Sequence, residues 1–168
     1  MEGPVNSGNY LLIFTRNPEL GSVKTRLAKS FGEKNALHIY HQLLAKTKDI
    51  ALKVSCFRVV YYSNFVDFND LFNPSYFYKD EQFGEDLGWR MNNAITSSFD
   101  EGAERVVLIG SDCYDLSAEI IQERLVTQGF YFPGFHRDQI GQGYYLQARY
   151  QVDNDLSVQL RTERYYSN

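Results

Sequence analysis

Apolar residues fall into three rhythms along this 168-residue chain. Two short segments, Leu11 to Phe14 and Val106 to Ile109, are apolar without interruption. The first predicts a strand, and the second, continuous rather than alternating, predicts a central parallel strand buried on both faces between helical layers. The β-rich run Cys56 to Tyr62 predicts another strand of the same sheet. Elsewhere the spacing is three and four. Leu37, Tyr40, Leu44, Thr47 and Ala51 mark one face of a helix within residues 32–52, and Leu87, Met91, Ala94 or Ile95, and Ser98 mark a second from Asp86 to Phe99. Leu116, Ile120, Ile121 and Leu125 predict a third from Ser117, its N-cap, to Gln128, with Gly129 as the stop. True alternation comes last: Leu146, Ala148, Tyr150 and Val152, then Leu156, Val158 and Leu160 across Asp153-Asn154-Asp155, the pattern of a β-hairpin. The aromatic stretch Asn64 to Gln82 predicts no regular element and reads as core filling and edge covering. Strands alternating with helices predict an α/β three-layer sandwich with a mostly parallel central sheet and a C-terminal β-hairpin.

Composition narrows the class without changing this picture. With 43% hydrophobic and 23% charged residues, the chain has the balance of one globular domain, expected over residues 10–168. Residues 1–9 are small and polar, read as a flexible tail with neither the basic end nor the apolar centre of a secretion signal. No run is long enough to span a bilayer. A net charge of −4 argues against a nucleic-acid partner, and so do the acidic neighbours of the aromatics at 64–82. Cys56 and Cys113 are the two cysteines, consistent with a reducing cytoplasm and with no disulfide framework. His38 and His41 lie one turn apart, but no matching Cys or carboxylate completes a metal set, so they read as surface histidines. The apolar face of the terminal hairpin offers a place for pairing with a second copy, making a homo-oligomer possible.

The candidate chemistry lies in Leu11 to Leu27, where an apolar strand runs through a loop marked by Pro18 and Gly21 into a helix expected to carry Lys24 and Arg26. A P-loop is excluded by spacing, because only Ser22 and Val23 separate Gly21 from Lys24, and Asn17 stands where the first glycine belongs. A strand, loop and helix of this order still suits a phosphate, through backbone N–H groups, the helix dipole and the basic side chains. Arg16, Lys24 and Arg26 cluster there in an otherwise acidic chain, directly after a strand, where open α/β sheets bind ligands.

The pattern Phe14-x-Arg16-x-Pro18-x-x-Gly21-x-Val23-Lys24-Thr25-Arg26-Leu27 resembles the N-terminal signature of a bacterial family of GT-A-type glycosyltransferase-like proteins. Its members are likened to a glycosyltransferase of arsenosugar biosynthesis and are distantly similar to the guanylyltransferase for 2-phospholactate. Two further segments match: Gly84-Glu85-Asp86-Leu87-Gly88-x-Arg90-Met91, and Val106 to Cys113 with Asp115-Leu116 beyond it. The resemblance covers roughly the first 125 residues. It implies a nucleotide-diphospho-sugar transferase type of fold and transfer of a sugar from a nucleotide-sugar donor. A nucleotidyltransferase acting on a nucleoside triphosphate and a non-catalytic nucleotide-binding domain are the alternatives. By the same resemblance Arg16, Gly21, Lys24, Thr25, Arg26, Asp86, Arg90, Ser111 and Tyr144 are candidate substrate-binding residues. Asp112, with Asp138, is the candidate ligand of Mg2+ or Mn2+, whose charge would offset that developing on a diphosphate leaving group. From the sequence alone, Asp86 reads as a helix cap, and it is the resemblance that turns it toward the ligand.

Beyond residue 129 the chain departs from the pattern. The family continues with Pro-Ala-x-Asp-Gly-Gly-Tyr-Tyr-Leu, then helices and an acceptor-side segment. Here Gly-Tyr-Tyr-Leu survives as Gly143 to Leu146, Gly141 stands where the Asp would fall, Gln142 replaces a Gly, and Tyr114 replaces the Pro expected after Asp112-Cys113. The hairpin stands where the acceptor-side segment is expected. No catalytic base, donor base, sugar or acceptor is legible.

Overall fold

A computed structural model describes residues 8–111 and 113–126, together with the backbone of two later strands. In chain order the elements are β1 (Asn9–Thr15), α1 (Thr25–Phe31), α2 (Glu33–Leu52), β2 (Phe57–Tyr62), β3 (Tyr78–Glu81), α3 (Leu87–Asp100), β4 (Arg105–Gly110), α4 (Ala118–Val126), β5 (Tyr145–Tyr150) and β6 (Leu156–Arg161). The first four strands form one sheet in the order β3-β2-β1-β4, and every pairing in it is parallel. β5 and β6 pair antiparallel, with Tyr145 opposite Arg161 and Tyr150 opposite Leu156. These are the strands of the expected hairpin; its turn lies outside the described residues.

The parallel sheet is covered on both faces, which is what its uninterrupted apolar strands require. Side chains alternate across β1. Leu11 and Ile13 join Val60, Tyr62, Val107 and Ile109 on one face, against Tyr40 and Leu44 of α2 and Ile121 and Leu125 of α4. Tyr10, Leu12 and Phe14 join Val59, Tyr61, Val106 and Leu108 on the other, against Met91, Ala94 and Ile95 of α3. The expected helix faces are buried except at their first positions: Tyr40, Leu44, Thr47 and Ala51 are buried on α2, where Ala36 takes the place expected of the half-buried Leu37, and Met91, Ala94, Ile95 and Ser98 are buried on α3, where Leu87 is exposed. Ser117 caps α4 through a bond from the Ile120 N–H to its hydroxyl, 3.3 Å.

Two expectations need correction. The stretch 64–82 contains β3, which parallel pairing to β2 creates from Tyr-Lys-Asp-Glu, a composition that carries little strand signal. Lys24 is not inside a helix. It precedes α1 as the capping residue, in a left-handed conformation at φ 49°.

The loop leading to β3 is organised by a buried polar cluster. The Lys79 ammonium, 1% exposed, lies 2.6 Å from an Asp70 carboxylate oxygen and donates to the Asp67 carbonyl at 2.6 Å. Asp70 also accepts from the Tyr62 hydroxyl at 2.6 Å and from the Phe72 N–H at 2.9 Å. Phe72 and Phe77 then pack edge to face, with centroids 5.2 Å apart. A buried pair of this kind is costly to break from one side, because the survivor keeps its charge without a partner. Asp70→Ala is expected to lower stability by about 3 to 5 kcal/mol in urea unfolding, and adding Lys79→Met should recover part of that loss. Lys79→Met alone closes the cycle, and losses of the two single variants that simply add in the double variant would show that the pair is not coupled.

Burial also sets a pH dependence. The Cys56 thiol is pushed up to about 12 by burial, which outweighs the nearby Arg58. The Tyr61 hydroxyl is pushed up to about 12, chiefly by burial and further by Asp80 and Glu101. Above about pH 9 the unfolded chain loses these protons first while the folded state keeps them, so the folded state binds more protons and stability falls as pH rises. The contribution is complete below about pH 8 and is lost between about pH 9 and pH 12. The urea midpoint should therefore be flat up to about pH 8 and then decline, and Cys56→Ala should remove the part of the slope that begins near pH 9.

Candidate active site

A cleft of about 1050 Å3 opens at the carboxyl ends of β1, β2 and β4, between the loop that follows β1, the start of α3 and the segment after β4. This is the edge at which parallel α/β sheets bind ligands. Of the sequence candidates, Arg16, Lys24, Thr25, Arg26, Arg90 and Ser111 line it. They come from three separate stretches of chain, and four of the six are cations. Among the described residues no carboxylate lines the cleft.

The other candidates are placed differently. Gly21 is exposed in the loop after β1, at φ 80°, and a side chain there would meet the Glu33 carboxylate at 3.3 Å. Its role is to turn the loop. Asp86 is the N-cap of α3, its carboxylate accepting from the Trp89 N–H at 2.8 Å, which matches the capping role readable from sequence. Asp112, Asp138 and Tyr144 lie outside the described residues. His38 and His41 are both exposed on α2. Among the described residues no group of three or more His, Cys, Asp or Glu is placed to hold a metal.

The floor of the cleft is held by one hydroxyl. Tyr40, 4% exposed on α2, donates to the Arg16 carbonyl at 3.1 Å and accepts from the Arg16 N–H at 3.0 Å. The same oxygen lies 3.1 Å from the Thr15 hydroxyl and 3.1 Å from the Ser111 hydroxyl. The ends of β1 and β4 thus meet at one phenol. Thr47, two turns along α2, donates to the Ser111 carbonyl at 3.1 Å. Asn17 fastens the neighbouring loop, donating to the Phe65 carbonyl at 2.9 Å and accepting from the Asn64 N–H at 3.1 Å. The Gln82 amide bridges the Thr15 and Tyr61 carbonyls at 3.0 Å each.

Tyr40, Thr47, Asn17 and Gln82 were not sequence candidates for the site. Tyr40 belongs to the apolar stripe of α2 and is indistinguishable there from an ordinary core residue. Its partners lie 24, 25 and 71 positions away, so no local signal marks it. Asn17 stood in view inside the basic loop and could have been singled out as a polar residue directly after a buried strand.

The Gly84 to Met91 motif is explained by close approach. Gly84 has φ 147°, and a side chain there would come within 2.8 Å of the Arg90 backbone nitrogen. Arg90 in turn donates from Nε to the Gly84 carbonyl at 3.0 Å, which aims the guanidinium from the first turn of α3 toward the cleft. Lys24 and Val23 do the equivalent work in the first loop. Val23 is buried at 2% and anchors the loop, while the left-handed turn at Lys24 starts α1.

Residues 48–127 match a family described as an uncharacterized protein conserved in bacteria, DUF2064. The fold is similar to the crystal structure of a protein from Desulfovibrio desulfuricans G20, provisionally named a nucleotide-diphospho-sugar transferase. The TM-score is 0.63 at 32% identity, covering 70% of this chain and 52% of that one. This chain therefore spans about half the length of the structure it matches. No protein of curated function matches it.

A left-handed residue other than glycine is strained by roughly 1 kcal/mol, and Lys24 is the single such residue among those described. Lys24→Gly should therefore be more stable than Lys24→Ala by about 1 kcal/mol, the reverse of the usual order of these residues in regular structure. Equilibrium unfolding of the two variants checks this, and equal midpoints would show that the loop relaxes out of the left-handed conformation.

Proposed function

We propose that the protein is a metal-dependent glycosyltransferase whose cleft holds a nucleotide-sugar donor. The observation that carries the reading is the convergence of Arg16, Lys24, Arg26 and Arg90 on one cleft at the carboxyl edge of a parallel sheet, in a chain of net charge −4. Cations gathered against the overall charge fit a strongly anionic ligand, and a diphosphate supplies that charge. The similarity to a protein provisionally named a nucleotide-diphospho-sugar transferase supports the same class.

In this reading the basic side chains bind the diphosphate and stabilise the negative charge that grows on it as the bond to the sugar breaks. They are set in place before the ligand arrives, because Tyr40 and Asn17 fix the backbone at the strand ends and Gly84 fixes Arg90, so little reorganisation is left for the reaction. Ser111 and Thr25 add hydroxyls to the same cleft. The described cleft lining contains no carboxylate, so a divalent cation would be held by Asp112, which follows Ser111 directly in sequence, with Asp138 as the second candidate. Such a cation, Mg2+ or Mn2+, would share in neutralising the diphosphate.

Thermal unfolding against nucleoside diphosphates, triphosphates and nucleotide sugars, with and without Mn2+, tests the proposal in wild type, Arg16→Ala, Arg90→Ala and Asp112→Ala. A ligand at about a hundred times its dissociation constant adds roughly 2.7 kcal/mol, or about 5 to 11 °C in a domain of this size. The expected result is such a rise with one nucleotide sugar, dependent on metal, lost in Asp112→Ala and strongly reduced in both arginine variants. Preference for a triphosphate with release of pyrophosphate would make the protein a nucleotidyltransferase. No shift with any compound would leave a fold without transferase function.

A further inference from the structure

The cleft changes character along its length. Ser63 and Asn64, which follow β2, line it at one end, Arg16 follows the central strand β1, and Tyr114 follows β4 at the other end, with Ile39 and Leu43 of α2 walling it. Adjacent strands lie about 4.8 Å apart, so the two ends are separated by about 10 Å across β1. Ile39, Leu43 and Lys46 follow one another at spacings of four and three on α2, forming a stripe beside the buried one of Tyr40, Leu44 and Thr47.

Tyr114 stands out within this wall. It lines the cleft while remaining 69% exposed. A tyrosine so exposed after a strand would ordinarily sample several rotamers. Here Lys46 restrains it twice, donating to the Tyr114 carbonyl and placing its ammonium 3.8 Å from the centre of the ring. The cation occupies one face of the ring and holds it by the ring quadrupole. The residue is thereby ordered before any ligand binds, which lowers the entropy cost of using it.

We propose that Tyr114 is a specificity-determining platform on which the sugar ring of the donor rests, its C–H face against the phenol and Ile39 and Leu43 beside it. This rests on the reading of the cleft as a nucleotide-sugar site. A nucleobase has hydrogen-bonding edges that fit the hydroxyl and amide at the β2 end. The β4 end offers a ring face and the Ser111 hydroxyl, which complement the apolar face and the hydroxyl rim of a hexose. With Arg16 after the central strand between them, the cleft presents groups for base, diphosphate and sugar in the order in which a nucleotide sugar carries them.

The test is calorimetric titration, in the presence of Mn2+, of UDP-glucose against UDP and of GDP-mannose against GDP. Wild type, Tyr114→Ala, Tyr114→Phe and Arg16→Ala are compared, each checked by circular dichroism for an unchanged fold. Aromatic contacts of this size correspond to between about twofold and tenfold in affinity. Tyr114→Ala is expected to weaken the bound nucleotide sugar by about fivefold while leaving its parent diphosphate within twofold, with Tyr114→Phe close to wild type. An equal loss for both members of the pair would overturn the platform, since the residue would then act on the shared nucleotide or on the fold. So would unchanged affinities in Tyr114→Ala when Arg16→Ala abolishes binding, and that result would leave the cleft itself standing as the site. Failure of wild type to bind either pair would remove the cleft reading and the platform with it.

Discussion

The Tyr40 hydroxyl is where the sheet and the cleft are joined. A tyrosine oxygen has one proton to donate and two lone pairs to accept with, and four groups at the ends of β1 and β4 share that capacity: the Arg16 carbonyl and N–H and the Thr15 and Ser111 hydroxyls. A parallel sheet leaves its strand ends without partners at the edge where the chain turns into loops, and buried backbone groups there must be satisfied. Here a helix side chain satisfies them. The same bonds hold the backbone of Arg16 and the hydroxyl of Ser111 in fixed relation, so the requirement of folding and the preorganisation of the site are met by one contact.

Around that point the structure divides its work between rigid and polar parts. Apolar strands covered on both faces by α2, α4 and α3 provide a platform that cannot shift register without exposing a core face. Glycine and left-handed residues then do what ordinary residues cannot: Gly84 allows the start of α3 to close on the loop before it, and Lys24 turns the chain into α1. The polar cluster of Tyr62, Asp70 and Lys79 extends the same logic to the loop before β3, which continues the stretch that carries Ser63 and Asn64 to the cleft. Strain and buried polar contacts thus concentrate beside the cleft, as they do where a site is held by its surroundings.

The charge distribution follows from that placement. Arg16, Lys24 and Arg26 are close in sequence, but Arg90, 64 positions beyond Arg26 in an acidic chain, joins them only in three dimensions. Tyr114 shows the same dependence at the opposite wall. Its ring becomes a fixed surface because Lys46, 68 positions away, lies over it.

Strand and helix identity was legible in the amino-acid pattern because burial on two faces or one imposes a period that residues within a few positions reveal. The runs at Leu11 and Val106, the stripes of α2 and α3, and the alternation of the hairpin strands are all of this kind. The basic loop and the Gly84 to Met91 motif were legible for a similar reason, since their residues are close in sequence. β3 was not, because Tyr-Lys-Asp-Glu has no strand period of its own and takes its conformation from hydrogen bonding to β2. Nor were Tyr40, Asn17, Gln82 and the Lys46–Tyr114 contact. Their partners are brought together by folding, and a side chain that serves as a long-range hydrogen-bond junction looks in sequence like any other residue of the core or loop. Local pattern specifies the layers and a cationic loop at a strand end, whereas the side chains that share the cleft, and the contacts that hold them there, come together only through long-range packing.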